Sequence, residues 1–128
     1  MCVFAGPVLS ADDPEHGYEE GDGATIQVPM EFWKVVACVS RENGQKVKRS
    51  YGFVFDQTEP VQRLGYERMN MDDYEVYQMP LAEITKKTGV VFDPTLLAAD
   101  VLKGGGANER VRGFRGKRIK KLDQIVLR

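Results

Sequence analysis

The sequence predicts an α+β fold in which an antiparallel sheet is accompanied by a few short helices. Residues 32–55 have the pattern of a β-hairpin, residues 80–89 are bracketed as a helix by Pro and Gly, and no internal repeat occurs. The length of 128 residues suits one domain or a part of one. With 42% apolar and 29% charged residues, the composition has an ordinary globular balance and does not suggest a disordered chain.

The hairpin is the strongest element. Residues 32–39 (FWKVVACV) are apolar at both alternating sets of positions, which predicts a strand inside a sheet covered on both faces. The dipeptide Asn43-Gly44 follows, and it favours a two-residue turn because both positions tolerate positive φ. Residues 46–55 then predict the antiparallel partner strand.

The segments before the hairpin are less regular. Residues 3–9 predict a strand that Gly6-Pro7 interrupts. Residues 10–24 are dense in Asp, Pro and Gly without a period, which predicts a loop. Residues 26–28 predict a short strand that ends before a proline.

Beyond the hairpin, residues 56–73 give only a weak helical pattern. Residues 74–79 alternate enough to predict an edge strand. Residues 80–89 predict a helix that opens with Pro and stops at Gly, and residues 94–102 predict a last helix.

Within the first of these helices, the spacing of apolar residues predicts one buried stripe. Leu81 and Ile84 form that stripe. Glu83 and Lys87 stand four positions apart, where opposite charges on a helix surface attract, so we expect them to pair.

Charge is divided unevenly along the chain. Residues 1–102 carry 9 Lys and Arg against 17 Asp and Glu, a net charge of −8, whereas residues 103–128 carry 9 against 2, a net charge of +7. Three glycines at 104–106 predict a flexible joint. We therefore expect a domain portion over residues 1–102, followed by a Gly-rich joint and a basic C-terminal tail over 103–128.

The basic tail has two interpretations. Its cations could neutralise nucleic-acid phosphates, or they could lie on the acidic body of their own chain. Phe114 is the one tail aromatic able to stack on a base, and apolar residues at near-helical spacing favour a docked terminal segment. The cations are Arg110, Arg112, Arg115, Lys117, Arg118, Lys120 and Lys121, and the apolar residues are Ile119, Leu122, Ile125 and Val126.

No catalytic constellation emerges from the residues alone. His16 is the single histidine, so we expect an exposed loop residue, with a catalytic base as the alternative. The acidic run over residues 12–22 lacks EF-hand spacing, so a solvated loop is expected rather than a calcium site. Cys2 and Cys38 predict two buried free thiols, with one disulfide as the alternative.

Targeting signals and membrane spans are also not expected. The sequence has no run of 18 apolar residues, and its first residues lack the basic region of a signal peptide. We expect a soluble chain, and the compartment stays open.

An ordered series of short motifs resembles the C-terminal half of the DNA/RNA non-specific endonucleases, the endonuclease G-like ββα-metal (His-Me finger) nucleases. The resemblance covers roughly residues 3–102. The motifs are Phe4-Ala-Gly-Pro-Val8, Ile26-Gln-Val-Pro29, Phe32-Trp-Lys-Val-Val36, Phe53-Val-Phe-Asp-Gln57 and Pro80-Leu-Ala-Glu-Ile-Thr-Lys-Lys-Thr-Gly89.

This resemblance implies part of a ββα-metal fold and, in the complete family protein, phosphodiester hydrolysis assisted by one divalent metal, usually magnesium. In the family, the histidine of an Asp-Arg-Gly-His motif is the base and a later asparagine holds the metal, and both precede the Gly-Pro strand. This sequence contains no Asp-Arg-Gly-His, and His16 lies in a different context. We therefore assign no catalytic residue, metal ligand or cofactor to this chain.

We accordingly expect a C-terminal fragment of a metal-dependent endonuclease that lacks the ββα metal element and is inactive alone. The chain begins in a predicted core strand, which favours a truncated, cleaved or split protein. The alternatives are a non-catalytic nucleic-acid-binding module, a subunit completed by a partner that carries the missing half, and an enzyme that uses His16.

The expected partners are DNA or RNA, a second copy of the chain, or the missing N-terminal half, and no membrane. A sheet without its neighbours exposes a strand edge and an apolar face, which predicts self-association or poor solubility. The candidate nucleic-acid-binding residues are Lys34, Arg112, Arg115, Lys117, Arg118, Lys120 and Lys121.

Overall fold

A computed structural model describes residues 1–17, 25–59, 74–105, 107, 109–111 and 113–128. Within these residues, six strands form one antiparallel sheet in the order β1-β4-β5-β6-β8-β7, and β2 pairs separately with β3. Together with two helices, this architecture confirms the predicted α+β class. The strands are β1 (Cys2–Val8), β2 (Glu15–Gly17), β3 (Thr25–Gln27), β4 (Glu31–Glu42), β5 (Gln45–Asp56), β6 (Glu75–Gln78), β7 (Glu109–Val111) and β8 (Phe114–Ile119). The helices are α1 (Leu81–Thr88) and α2 (Pro94–Ala99), and a 3-10 turn covers Leu122–Gln124.

The predicted hairpin is confirmed. Strands β4 and β5 pair continuously from Glu31 opposite Asp56 to Glu42 opposite Gln45. The turn residues Asn43 and Gly44 have φ of 51° and 77°, the left-handed values that a two-residue turn requires.

The hydrophobic core lies between one face of this sheet and the two helices. Trp33, Val35 and Val54 point from β4 and β5 toward the helices, where they meet α1 and Phe92. We call this side the first face. Gly52 also belongs to it, because a Cβ at that position would lie 2.4 Å from the Met79 carbonyl oxygen and 2.8 Å from Ile84 Cδ1.

Helix α1 begins and ends close to the predicted residues. Pro80 is its N-cap, and Gly89 closes it with φ of 78° and donates its N–H to the Thr85 carbonyl. The predicted apolar stripe is confirmed, because Leu81 and Ile84 are fully buried.

The predicted pair between Glu83 and Lys87 is wrong, because each residue has partners on other elements. Glu83 accepts from Lys86 at 3.1 Å and from Arg115 of β8. The Lys87 ammonium lies 2.7 Å from Glu31 Oε2 and 4.7 Å from the centre of the Phe114 ring. Glu83 therefore joins α1 to β8 as well as to the next turn of its own helix, and Lys87 joins α1 to β4.

Helix α2 is shorter than predicted. It begins with an Asp93 cap that accepts from the Thr95 N–H, and it ends at Ala99 rather than at residue 102. Asp100 then leaves the helix, and its carboxylate accepts hydrogen bonds from the N–H groups of Leu81 and Leu102. These bonds turn the chain and join the two helices.

Three expectations about strands need correction. Strand β1 runs through Gly6-Pro7 without interruption and lies at the sheet edge rather than in the core, a place where Pro is tolerated. Residues 15–17 form strand β2 rather than loop, and His16 pairs with Ile26 in it. Residues 74–79 contain the interior strand β6 rather than an edge strand, because β8 pairs with its other side.

Two further expectations, about the coverage of strand β4 and the burial of the cysteines, are wrong. Strand β4 lies inside the sheet, but the described residues do not cover it on both faces, since Lys34 is exposed. The cysteines are free, as predicted, but they are not buried: Cys2 is exposed and Cys38 is partly exposed.

The weak helical pattern at residues 60–73 and the carboxylates at 19–22 lie outside the described residues. No helix in the described part of the chain is long and apolar enough to cross a membrane.

Candidate nucleic-acid interface

The second face of the sheet, opposite the helices, brings two of the predicted lysines into one row. Residues directly opposite each other in paired strands point to the same side of a sheet. Lys34 is opposite Phe53, Phe53 is opposite Gln78, and Gln78 is opposite Lys117. Ala5 extends this line onto β1, opposite Lys34. We call Ala5, Lys34, Phe53, Gln78 and Lys117 the lysine row.

The geometry of the row separates its two cations. Neighbouring strands lie about 4.8 Å apart, so the three strand steps from β4 to β8 separate the backbones at Lys34 and Lys117 by about 14 Å. Phe53 and Gln78 occupy the interval. An extended anionic chain that crosses the strands can therefore meet a positive charge at two points.

A groove lies beside the lysine row. Its volume is about 430 Å³, and it is lined by Pro7, Phe32 and Phe55 from a parallel apolar row, together with Lys34 and Val76. The Lys34 ammonium lies 5.4 Å from the centre of the Phe55 ring, a cation–π distance. An apolar, partly aromatic floor with a cation at its rim suits a neutral base that stacks on the rings while its phosphate meets the cation.

A terminal segment, residues 122–128, lies across the other part of the second face. We call it the C-terminal strap. Both amide atoms of Gln78 bind the strap main chain: Nε2 donates to the Val126 carbonyl at 2.9 Å, and Oε1 accepts from the Val126 N–H at 2.7 Å. Tyr51 donates to the Leu127 carbonyl at 3.0 Å. Burial raises the pKa of Tyr51, which keeps this donor protonated.

The strap also holds Lys117 of the lysine row. The Lys117 ammonium donates to the Gln124 carbonyl at 2.7 Å. The Gln124 side chain then accepts from the N–H groups of Lys120 and Lys121, which fixes the turn between β8 and the strap. The docking favoured from the sequence is confirmed, but through β8 and a 3-10 turn rather than a helix, because residues 114–119 pair with β6 and β7.

Two of the predicted nucleic-acid-binding arginines, Arg115 and Arg118, contact acidic residues of their own chain. Arg115 donates from its main-chain N–H and its Nε to Glu83 at 3.2 and 3.4 Å. Burial alone would raise the pKa of Glu83, but the hydrogen bonds from Arg115 and Lys86 outweigh it and lower that pKa.

Arg118 and its contacts Tyr77 and Glu75 lie on the first face, the side of the sheet opposite Lys117. Arg118 contacts Glu75 at 3.3 Å and is opposite Tyr77, whose hydroxyl also binds Glu75. Burial, with that hydrogen bond, raises the pKa of Tyr77 to about 12.

The structure therefore groups only part of the predicted set. Lys34 and Lys117 share a row, whereas Arg115 and Arg118 bind their own chain's carboxylates. Lys120 and Lys121 are exposed at the turn beside the strap, and Arg112 lies outside the described residues. Phe114 packs against the core, so its ring is not presented to a base.

Sequence reasoning missed Phe53, Phe55 and Gln78 as members of this face. The sequence did carry a signal for Phe53 and Phe55, because counting residues outward from Asn43-Gly44 along both strands sets the register of the hairpin. That count places Phe53 opposite Lys34 and Phe55 opposite Phe32. Gln78 had no such signal, since its pairing with β5 crosses a long connection.

The described residues do not fit a catalytic metal ion. They contain no group of three or more His, Cys, Asp and Glu side chains that could hold one. Asp13, from the acidic run, has its carboxylate bound by the N–H groups of Ser10 and Met30, which is a structural role. The described part of the chain therefore supplies no ligand set for magnesium.

Comparison with known proteins agrees with the motif series. The profile of the DNA/RNA non-specific endonuclease family matches residues 1–99. The uncharacterized protein y4fB of Sinorhizobium fredii (strain NBRC 101917 / NGR234) is 30% identical over 117 residues, which is 86% of this chain and 16% of that protein. The chain thus spans about a sixth of the length of this relative, and no solved structure matches it significantly. Because the family match covers most of the chain, the protein belongs to the DNA/RNA non-specific endonuclease family.

Proposed function

We propose that this chain is the C-terminal part of a metal-dependent DNA/RNA endonuclease domain with the ββα-metal fold, and that it does not cleave nucleic acid alone. The observation that carries the proposal is a family match over residues 1–99 in a sequence that contains no Asp-Arg-Gly-His. Residues 1–102 then form the endonuclease portion, and residues 103–128 form the joint and basic tail.

The inactivity of the chain alone follows from the chemistry of the reaction. Phosphodiester hydrolysis in a metal-dependent nuclease needs a base that activates water and a cation that stabilises the developing charge. No residue of this chain matches the family's base, and the described residues supply no metal-ligand group. The complete protein, with magnesium held elsewhere, would supply both.

The exposed surfaces of the sheet support completion by another segment or subunit. Strand β1 has β4 on one side and no described strand on the other, and Val3 and Phe4 on it are 52% and 46% exposed. Strand edges of this kind pair readily with further chains. We propose that the missing catalytic portion, or a second copy in its absence, covers this edge.

We further propose that the second face is the part of the chain that contacts nucleic acid. Lys34 and Lys117 supply two phosphate contacts, and the Phe32 and Phe55 rings supply apolar surface for a base. The same face supports the second candidate function, a non-catalytic nucleic-acid-binding module, because it needs no active site.

Binding of labelled single-stranded DNA and RNA tests this face. We expect Lys34→Ala to weaken binding several-fold and to reduce the salt dependence by about one phosphate contact. Lys46→Ala is the matched control, because Lys46 is exposed on the same hairpin, one residue out of phase with the second face. Equal losses from both variants would indicate nonspecific attraction and contradict the assignment.

A further inference from the structure

We propose that the C-terminal strap is an autoinhibitory cover, which holds Lys117 and part of the lysine row until nucleic acid displaces it. This inference rests on the proposed nucleic-acid contact at the second face. It extends that proposal by assigning a regulatory role to residues 122–128.

The contacts of the strap occupy the atoms that a nucleic acid would use. The Lys117 ammonium is bound to the neutral Gln124 carbonyl, and Gln78, next to Lys117 in the row, uses both amide atoms on Val126. A strand that crosses the row toward Lys117 would meet the strap before it met the sheet. Strap and nucleic acid are therefore mutually exclusive over this part of the face.

Replacing the strap by nucleic acid is favourable for the Lys117 ammonium. A phosphate offers Lys117 a charged acceptor in place of a neutral carbonyl, and charge-assisted hydrogen bonds are the stronger kind. Lys34, three strands away from Lys117 in the row, is exposed and already available. An initial contact at Lys34 would thus raise the local concentration of phosphate beside the strap.

The contacts between the strap and the sheet are also weak enough for the strap to dissociate from the second face. Leu122 is 86% exposed and Leu127 is 61% exposed, so their side chains bury little apolar surface. Arg128 reaches Glu42 at 3.6 Å, but Arg128 is exposed and Glu42 is partly exposed, and such a contact contributes little. Segments with few buried apolar contacts open at a small fraction of the global unfolding free energy.

The test uses the full chain with a substitution that weakens the strap. Val126→Pro removes the N–H that donates to Gln78, whereas Leu127→Ala changes an exposed side chain and keeps the main-chain acceptor for Tyr51. Hydrogen exchange over residues 120–128 reports release of the strap. Fluorescence anisotropy of a labelled oligothymidylate reports binding.

We expect Val126→Pro to accelerate exchange in the strap and to strengthen oligonucleotide binding about 3- to 10-fold, while Leu127→Ala changes neither. Adding Lys117→Gln should remove most of that gain, and should have a smaller effect in the wild-type chain. Gln78→Ala removes the sheet side chain that binds Val126 of the strap, and it should strengthen oligonucleotide binding as Val126→Pro does.

Two other results would overturn the inference and can be told apart. If the strap is released and binding is unchanged but still depends on Lys34, autoinhibition is wrong and the nucleic-acid face stands. If no variant binds the oligonucleotide, the proposed contact and the inference built on it both fail.

Discussion

Gly52 provides a sharp test of the packing between β5 and α1. A Cβ there would lie 2.4 Å from the Met79 carbonyl oxygen, 1.0 Å inside the 3.4 Å at which ordinary contact begins. That oxygen cannot withdraw easily, because the Met79 N–H donates to the Gly52 carbonyl at 2.9 Å. Overpacking of a core costs about 1–3 kcal/mol and loss of one hydrogen bond about 1 kcal/mol. We therefore expect Gly52→Ala to lower the free energy of unfolding by about 2–4 kcal/mol.

Urea unfolding followed by tryptophan fluorescence measures this loss, because Trp33 lies in the same core. Gly116→Ala is the matched control. Its Cβ would meet the Gln78 carbonyl at 3.5 Å, an ordinary contact, so we expect a change within about 0.5 kcal/mol. An unchanged urea midpoint in Gly52→Ala, or equal losses in both variants, would refute this account of the packing.

Three further predictions concern the charges and the sheet edge. Lys87→Met should destabilise the fold by about 1–3 kcal/mol in urea unfolding, because it removes the ammonium that lies 2.7 Å from Glu31 Oε2, and an unchanged urea midpoint would count against this contact. Hydrogen bonds keep the pKa of Glu83 below its ordinary 4.5, so its ionised form stabilises the fold above that pH, and the stabilisation is lost as the pH falls through the folded pKa. The melting temperature between about pH 6 and pH 3 should therefore decline less steeply in Glu83→Gln than in the wild-type chain. Parallel curves would exclude Glu83 as the cause of the pH dependence. Light scattering should show the chain associating through β1, and Val3→Lys should shift it toward monomer; a wild-type monomer at all concentrations would contradict this.

Local sequence signals predicted the elements that local interactions determine. The hairpin turn depends on Asn43 and Gly44, and α1 depends on the residues at its two ends and on a stripe three residues apart. Strand β8 was missed because basic residues interrupt its apolar signal. Its place in the sheet depends on pairing with β6, nearly 40 residues earlier, which no local pattern encodes.

The two lysines of the candidate site were predicted from the sequence, but their arrangement was not. Lys34 and Lys117 were both singled out from the sequence, yet only three successive strand pairings show that they share a row. The partners of the tail were equally hidden. Glu83, for example, lies 32 positions from Arg115, and its expected partner Lys87 binds Glu31 instead.

We propose that this chain has an endonuclease scaffold without an active centre of its own. Incubation of the purified chain with plasmid DNA and with RNA, in magnesium or manganese, tests it most directly, with EDTA and His16→Ala as controls. We predict no metal-dependent cleavage of either substrate. Cleavage that EDTA abolishes would contradict this proposal, and its loss in His16→Ala as well would contradict the expectation that His16 has no catalytic role.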